Sequence, residues 1–207
     1  MKAVITGGGG VLGRELKKKL HGYEVYLLDK VKVKDVIQVD VTDEASLVDV
    51  FKKIGPIDLL INCAGIMRRG DLFDTSEDYD LMFDVNVKAS WLSVKNADLN
   101  KDAVVVFVSS RHGFYLKSDP GLYSLTKKAQ ASLAEILRET ISQKVKIAYP
   151  GPFESPVSLE NVSSEKLAVK KKFMRKPDEI AGLIVDLVNS DKQDLFFNEE
   201  KNVYEFL

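Results

Sequence analysis

Lys2-Ala-Val-Ile-Thr6, Gly7-Gly-Gly-Gly10 and Val11-Leu-Gly-Arg-Glu-Leu-Lys-Lys-Lys-Leu20 follow one another without interruption, and these nineteen residues decide the fold. The first piece is a short apolar run of strand character, the second is a turn that needs glycine, and the third repeats its apolar residues at helical spacing. A strand, a glycine loop and a helix N-terminus in that order form a junction whose backbone N–H groups and helix dipole accept a pyrophosphate. The alternative is a glycine turn with no ligand, and four glycines in a row directly after a strand weigh against it. The next apolar run, Glu24-Val-Tyr-Leu-Leu-Asp29, ends in a carboxylate twenty-two residues after Gly7. An acid at the tip of the second strand is where a dinucleotide fold binds a ribose 2′-hydroxyl; a solvated strand-end aspartate is the other reading.

Beyond Asp29 the chain keeps alternating. Val36–Asp40, Ile57–Ile61, Ala103–Ser109, Lys144–Tyr149 and Asp194–Phe197 read as strands. Helical patterns span Asp43–Ile54, closed by Gly55-Pro56, then Glu77–Asn96, Leu122–Ile141 and Asp178–Val188. Strands this rich in Val, Ile and Leu suit a parallel sheet buried on both faces.

The chemistry concentrates in Tyr123-Ser-Leu-Thr-Lys127, with Ser109-Ser110 ending an apolar run thirteen residues before the tyrosine. On a helix, positions i and i+4 share a face, so the Tyr123 phenol and the Lys127 ammonium lie one above the other. A tyrosine phenol in water titrates near ~10, and moving it to ~7 takes roughly 4 kcal/mol of differential stabilisation, part of which a neighbouring cation can supply. The same spacing also occurs on ordinary helix surfaces, so its weight comes from context.

Composition bounds the function classes. With 45% hydrophobic and 29% charged residues over 207 positions, the chain has the make-up of one sizeable globular core. Thirty basic residues against thirty-one acidic ones leave a net charge of −1, which predicts no nucleic-acid or membrane surface. The lone cysteine, Cys63, excludes an intrachain disulfide, and the two histidines, His21 and His112, are too separated for a metal cluster, so no metal is expected. No apolar run reaches the ~18 residues that span a bilayer, and the N-terminus enters a strand without the features of a signal peptide. A cytoplasmic protein is expected. Two features stay open: the run Lys170–Lys176 is either a solvated helix face ending at Pro177 or an attractor for an anionic substrate, and Arg111-His112 either lines a pocket mouth or sits on an exposed loop.

Taken in order, these motifs resemble those of the short-chain dehydrogenase/reductase family over essentially the whole chain. Thr6-Gly7-Gly-Gly-Gly10-Val11-Leu12-Gly13 resembles the cofactor loop, Asp40-Val41 the adenine-pocket pair, and Asn62-Cys-Ala64-Gly65 the Asn-Asn-Ala-Gly segment after the fourth strand. Asn86 falls on the family's helix asparagine, Ser110, Tyr123 and Lys127 on its serine, tyrosine and lysine, and Pro150-Gly151 on the turn after the sixth strand. The resemblance implies a single doubly wound α/β Rossmann domain over residues 1–207, with seven parallel strands ordered 3-2-1-4-5-6-7 and a short substrate lid around 153–177. It implies an oxidoreductase that moves a hydride between a nicotinamide cofactor and a small alcohol or carbonyl. In that scheme Tyr123 is the general acid or base, Lys127 lowers its pKa and binds the nicotinamide ribose, Ser110 bonds the substrate oxygen, and Asn86 holds a water linking Lys127 to solvent.

Thr6, Asn62 and Phe153 complete the cofactor contacts that the resemblance implies. NAD is expected over NADP because Asp29 repels a 2′-phosphate, although Arg14, Lys30 and Lys32 lie close in sequence. A homodimer or homotetramer paired through the helices Glu77–Asn96 and Gly121–Ile141 is expected as well. The competing expectation is a binding-only regulator or scaffold of the same fold, which would have no need of Ser110, Tyr123 and Lys127 together. Three departures stand out. The loop spacing Gly7, Gly10, Gly13 is that of the extended branch, with Val11 where the shorter branch has glycine. Cys63 replaces the second asparagine of its segment, and Ser155 stands where a threonine is common.

Overall fold

The computed structural model describes residues 1–207 except 69–71, 74, 75, 119, 157–170 and 172. Strands β1 (Lys2–Thr6), β2 (Glu24–Asp29), β3 (Val36–Gln38), β4 (Ile57–Asn62), β5 (Leu99–Val108), β6 (Lys144–Tyr149) and β7 (Asp194–Asn198) run parallel in the order β3-β2-β1-β4-β5-β6-β7. The family resemblance implied this order, but it stopped one strand short. An eighth strand, β8 (Val203–Phe206), pairs antiparallel with β7. It follows a tight turn in which Asn198 Oδ1 accepts from the Glu200 and Lys201 amides and Asn202 adopts a left-handed φ of 52°. Four residues after a charged turn carry too brief an alternation to announce a strand; pairing with β7 is what makes them one.

Helices cover both faces. On one side α1 (Val11–Lys19) and α7 (Pro177–Asn189) bury Leu12, Leu16, Ile180 and Ile184 against Ala3, Ile5, Leu59, Ile61, Val106 and Ala148. On the other, α2 (Glu44–Ile54), α4 (Ala89–Asn96) and α6 (Gly121–Thr140) bury Leu47, Phe51, Leu92 and Ala134 against Val4, Leu60, Val105, Phe107 and Ile147. Successive strand residues serve opposite cores, the period of two that a doubly covered sheet requires. Local chemistry sets the helix ends. Asp43 caps α2 by accepting from the Ala45 amide at 3.2 Å, and α7 begins at Pro177 with Asp178 and Glu179 in its first turn, complementing the dipole.

The single helix expected over Glu77–Asn96 is three pieces: α3 (Ser76–Phe83), a π-helical turn (Asp84–Lys88) and α4. At the end of the π turn the Ala89 amide reaches back to the Asp84 carbonyl, one residue further than in an α-helix. The extra residue rotates Asn86 into the interior, where it is fully buried and its amide is bonded at both ends. A short helix, α5 (Arg111–Phe114), also went unread; Ser110 caps it by accepting from the His112 amide at 3.2 Å. The register Thr6–Leu28, Thr6–Asn62, Asn62–Phe107 and Val108–Ala148 brings the C-terminal ends of the central strands to one edge, with the order reversing between β1 and β4. Ligand crevices in open α/β sheets form at that point.

Candidate active site

The β1–α1 loop is shaped by close approaches. Gly7 has a left-handed φ of 68°, and a Cβ there would stand 2.7 Å from the Ala64 backbone; one on Gly13 would stand 2.7 Å from the Gly7 carbonyl and Gly8 Cα. The loop therefore lies directly on the segment after β4 and on the first turn of α1. Gly10 offers no side chain to cap α1, and the first turn carries no acidic residue, so the helix N-terminus faces the crevice uncapped. Thr6 is not on the crevice wall: its Oγ1 accepts from the Cys63 and Ala64 amides at 3.2 and 3.3 Å, tying β1 to β4.

Asp29 sits at the β2 tip as read from sequence. Its Oδ2 accepts from the Gly9 amide at 2.9 Å and its Oδ1 from the Val31 amide at 3.2 Å, so the carboxylate pins the glycine loop. Two of the nearby cations are engaged: Lys30 Nζ lies 2.9 Å from Asp40 Oδ2, and Arg14 Nε donates to the Gly9 carbonyl at 3.0 Å. Hydrogen bonds from the Thr42 hydroxyl and amide, joined by Lys30, hold the Asp40 carboxyl down at a pKa of about 2.

A cavity of about 830 Å³ joins these features to the tyrosine helix. Gly7, Gly10, Val11, Leu12, Gly13, Asp29, Asp40 and Val41 line one end. Ala64, Gly65, Ser110, Tyr123, Lys127, Pro150, Gly151 and Phe153 line the other. Thr6, Asn62 and Asn86 stand behind its wall. Asn62 ends β4 with both side-chain polar atoms buried and without a protein partner, whereas Asn86 Oδ1 accepts from the Ile66 amide and its Nδ2 donates to the Ile66 carbonyl and Thr126 Oγ1. Asn86 thus braces the chain after β4 against α6.

The two serines of the pair separate in role. Ser109 Oγ donates to the Lys127 carbonyl at 2.9 Å, locking α6 to β5, while Ser110 faces the cavity beside the Tyr123 phenol. Burial pushes the Tyr123 pKa up to about 12, Ser110 pulls it down, and Cys63 adds to the rise. Burial likewise lowers the Lys127 ammonium to about 8, with Cys63 opposing, and raises the Cys63 thiol to about 12. In the ligand-free protein burial therefore moves the phenol in the direction opposite to the one anticipated from Lys127.

Sequence reasoning left Arg111 and His112 undecided, and both line the cavity. The His112 ring meets the Tyr123 ring edge-on at 5.8 Å and its Nδ1 lies 3.2 Å from Ser124 Oγ; Arg111 also pairs with Glu199 at 2.9 Å. Met67, Leu81 and Pro152 add apolar wall that no motif signalled. Of the lid region, residues 157–170 and 172 lie outside the described residues, and so does part of the basic run 170–176. Within the described part, Arg175 does not extend a helix: it forms a parallel bridge with Phe153, with the Glu154 amide bonded to its carbonyl at 3.0 Å.

The family model for short chain dehydrogenases matches residues 1–166, and the chain belongs to that family of oxidoreductases. Oxidoreductase UcpA of Escherichia coli K12 is 32% identical over 187 residues, covering 75% of this chain and 70% of that protein. Among solved structures, an alcohol dehydrogenase from Thermococcus sibiricus complexed with 5-hydroxy-NADP superposes with a TM-score of 0.82 at 22% identity, over 94% of each chain. A short chain dehydrogenase family protein from Francisella tularensis gives a TM-score of 0.80 at 24% identity, over 92% of this chain and 91% of the other. Among the described residues no helix is long and apolar enough to cross a membrane.

Proposed function

We propose that this protein interconverts a small alcohol and its carbonyl with a nicotinamide dinucleotide, using Tyr123 as the general acid or base. The observation that carries this reading is the placement of Tyr123, Ser110 and Lys127 on one wall of a cavity whose far end is the glycine loop and Asp29. The crevice suits the cofactor, since the uncapped α1 terminus and the Cβ-free loop match a pyrophosphate and Asp29 matches a ribose diol. When bound, the nicotinamide supplies or accepts the hydride. Gly7, Gly10 and Gly13 would cradle its phosphates, Asp40 and Val41 the adenine, and Ala64, Gly65, Pro150, Gly151 and Phe153 the nicotinamide half.

In reduction, negative charge develops on the substrate oxygen. A phenol held at about 12 stays protonated at neutral pH, so Tyr123 has a proton to give, and Ser110 adds a second hydrogen bond to the same oxygen. In oxidation Tyr123 must take the proton, and the Lys127 ammonium favours the phenolate electrostatically. Asn86 Oδ1 and Lys127 Nζ each lie 3.3 Å from the Cβ position of Gly65, so both approach the same residue, and the water proposed for Asn86 would link them there. NAD is the proposed coenzyme. Residues 1–207 are taken as one domain with a lid around 153–177. A homodimer or homotetramer is proposed because Trp91 on α4 and Leu125 and Ile136 on α6 leave apolar surface on the helices meant to pair.

Tyr123→Phe tests the chemistry against the binding-only alternative. It removes the proton and keeps the ring, so turnover should fall by at least ~10² while dinucleotide affinity holds. Parental turnover by this variant on a confirmed substrate would show the assigned acid to be wrong.

A further inference from the structure

Lys127 is held from behind by polar groups that none of these roles uses. Its side chain is almost fully buried, and Nζ donates to the Val108 carbonyl at 3.0 Å and to Gln130 Oε1 at 2.9 Å. Gln130, one turn along α6, is wholly buried, and its Nε2 donates to Ser90 Oγ at 2.8 Å. Ser90, on α4, donates in turn to the Asn86 carbonyl at 3.4 Å. The direction of this chain is fixed by chemistry. An ammonium can only donate, so the amide oxygen must face Lys127 and the amide nitrogen must face the hydroxyl. A buried amide is tolerated when both ends are bonded, and here the acceptor end is committed to one cation.

We propose, building on the hydride-transfer reading, that Gln130, pinned by Ser90, is a positioning residue that fixes the Lys127 ammonium at the cavity wall and stabilises its charge. An apolar side chain would fill the same space but leave the buried ammonium with the Val108 carbonyl as its remaining acceptor among those described. A hydrogen bond to a charged donor is stronger than one to a neutral donor, so the amide favours the protonated lysine against the burial that disfavours it. The ionisable groups facing Lys127 are the Cys63 thiol beyond β4, the Tyr123 phenol on α6 and His112 on α5. Further along the same cavity stand Asp29, Lys30, Asp40, Asp84 and Arg111. Burial pushes the Cys63 thiol up to about 12, so it is neutral where Lys127 titrates and puts no charge beside it there.

The test is an NMR titration of the Lys127 side chain in the ligand-free full-length protein, comparing the parent with Gln130→Leu, Gln130→Glu and Ser90→Ala. The Lys127 midpoint should fall by about one pH unit in Gln130→Leu, by less in Ser90→Ala, and rise by about one unit or more in Gln130→Glu. The pH above which NADH affinity declines should move with it. Opposite shifts from two variants of similar size are not what a packing role would produce. Midpoints unmoved by either Gln130 variant, or moved in the same direction by both, would overturn the proposal. Should Gln130→Leu not fold, the contrast between Gln130→Glu and Ser90→Ala decides in the same way. The titration needs neither cofactor nor substrate, so absent turnover would count against the hydride-transfer reading alone, while turnover with an unmoved Lys127 would count against Gln130 alone.

Discussion

Replacing Asp29 by asparagine probes coenzyme choice directly. The carboxylate is half-buried at the β2 tip and is fixed from two sides by the Gly9 and Val31 amides, so it cannot swing away from an incoming 2′-phosphate. A pair of unit charges ~4 Å apart repels by about 1 kcal/mol at full water screening and about 4 kcal/mol at the effective dielectric of a protein surface. A phosphate carries nearly two charges, so even the screened limit gives about 2 kcal/mol. The counterweight is Lys30, whose pairing with Asp40 is largely exposed and therefore costs about 0–1 kcal/mol to break in favour of the phosphate. Repulsion of about 2 kcal/mol with a partial offset from Lys30 leaves an expected balance of about 1.4 kcal/mol, a tenfold preference for NAD in kcat/KM. Asp29→Asn keeps an acceptor for one of the two loop amides and removes the charge, so the NAD:NADP ratio should collapse by about tenfold, with NAD efficiency itself falling modestly. Steady-state kinetics with both coenzymes on one substrate reads the ratio. A parent that prefers NADP, or a variant whose ratio does not move, would show that Lys30 and Arg14 rather than Asp29 govern the pocket.

Two further outcomes follow from the fold. Lys146 is buried on β6 and donates to three carbonyls at the end of α7, Leu187 at 2.9 Å, Ser190 at 2.8 Å and Lys192 at 2.6 Å; Lys146→Met strands them and should cost about 2 kcal/mol, a Tm drop of roughly 4–8 °C by calorimetry. Because burial, then Lys144, lowers the Lys146 pKa, the unfolded chain binds more protons between the folded and unfolded values, so this residue's share of stability rises with pH there and the variant should flatten that alkaline rise. For assembly, light scattering at micromolar concentration should give a multiple of the 23.1 kDa chain mass, and a monomer would remove the paired-helix proposal.

The parts of this protein that were legible in its sequence are those whose geometry is local. Lys2–Leu20 needs only strand, turn and helix rules to become a strand, a glycine loop and a helix, and Tyr123 and Lys127 need only helical spacing to share a face. Alternation pointed to a parallel sheet covered on both faces, while the order of its seven parallel strands came from the family resemblance. Charge state was not legible. Tyr123 and Lys127 carry the residue types for acid–base work, but the direction of each shift is set by how much water the packed sheet and helices exclude. Nor was the π turn, because one extra residue in a helical pattern leaves the periodicity almost intact until Asn86 finds Ile66 and Thr126. β8 became a strand by pairing with β7. Gln130 looked like an ordinary helix residue; the hydroxyl that orients it comes from Ser90, forty positions away, and only the packing of α4 on α6 brings the two within a hydrogen bond. Spacing along the chain fixes which side chains share an element, whereas desolvation and cross-element bonds depend on which faces meet, and that is decided by the tertiary fold.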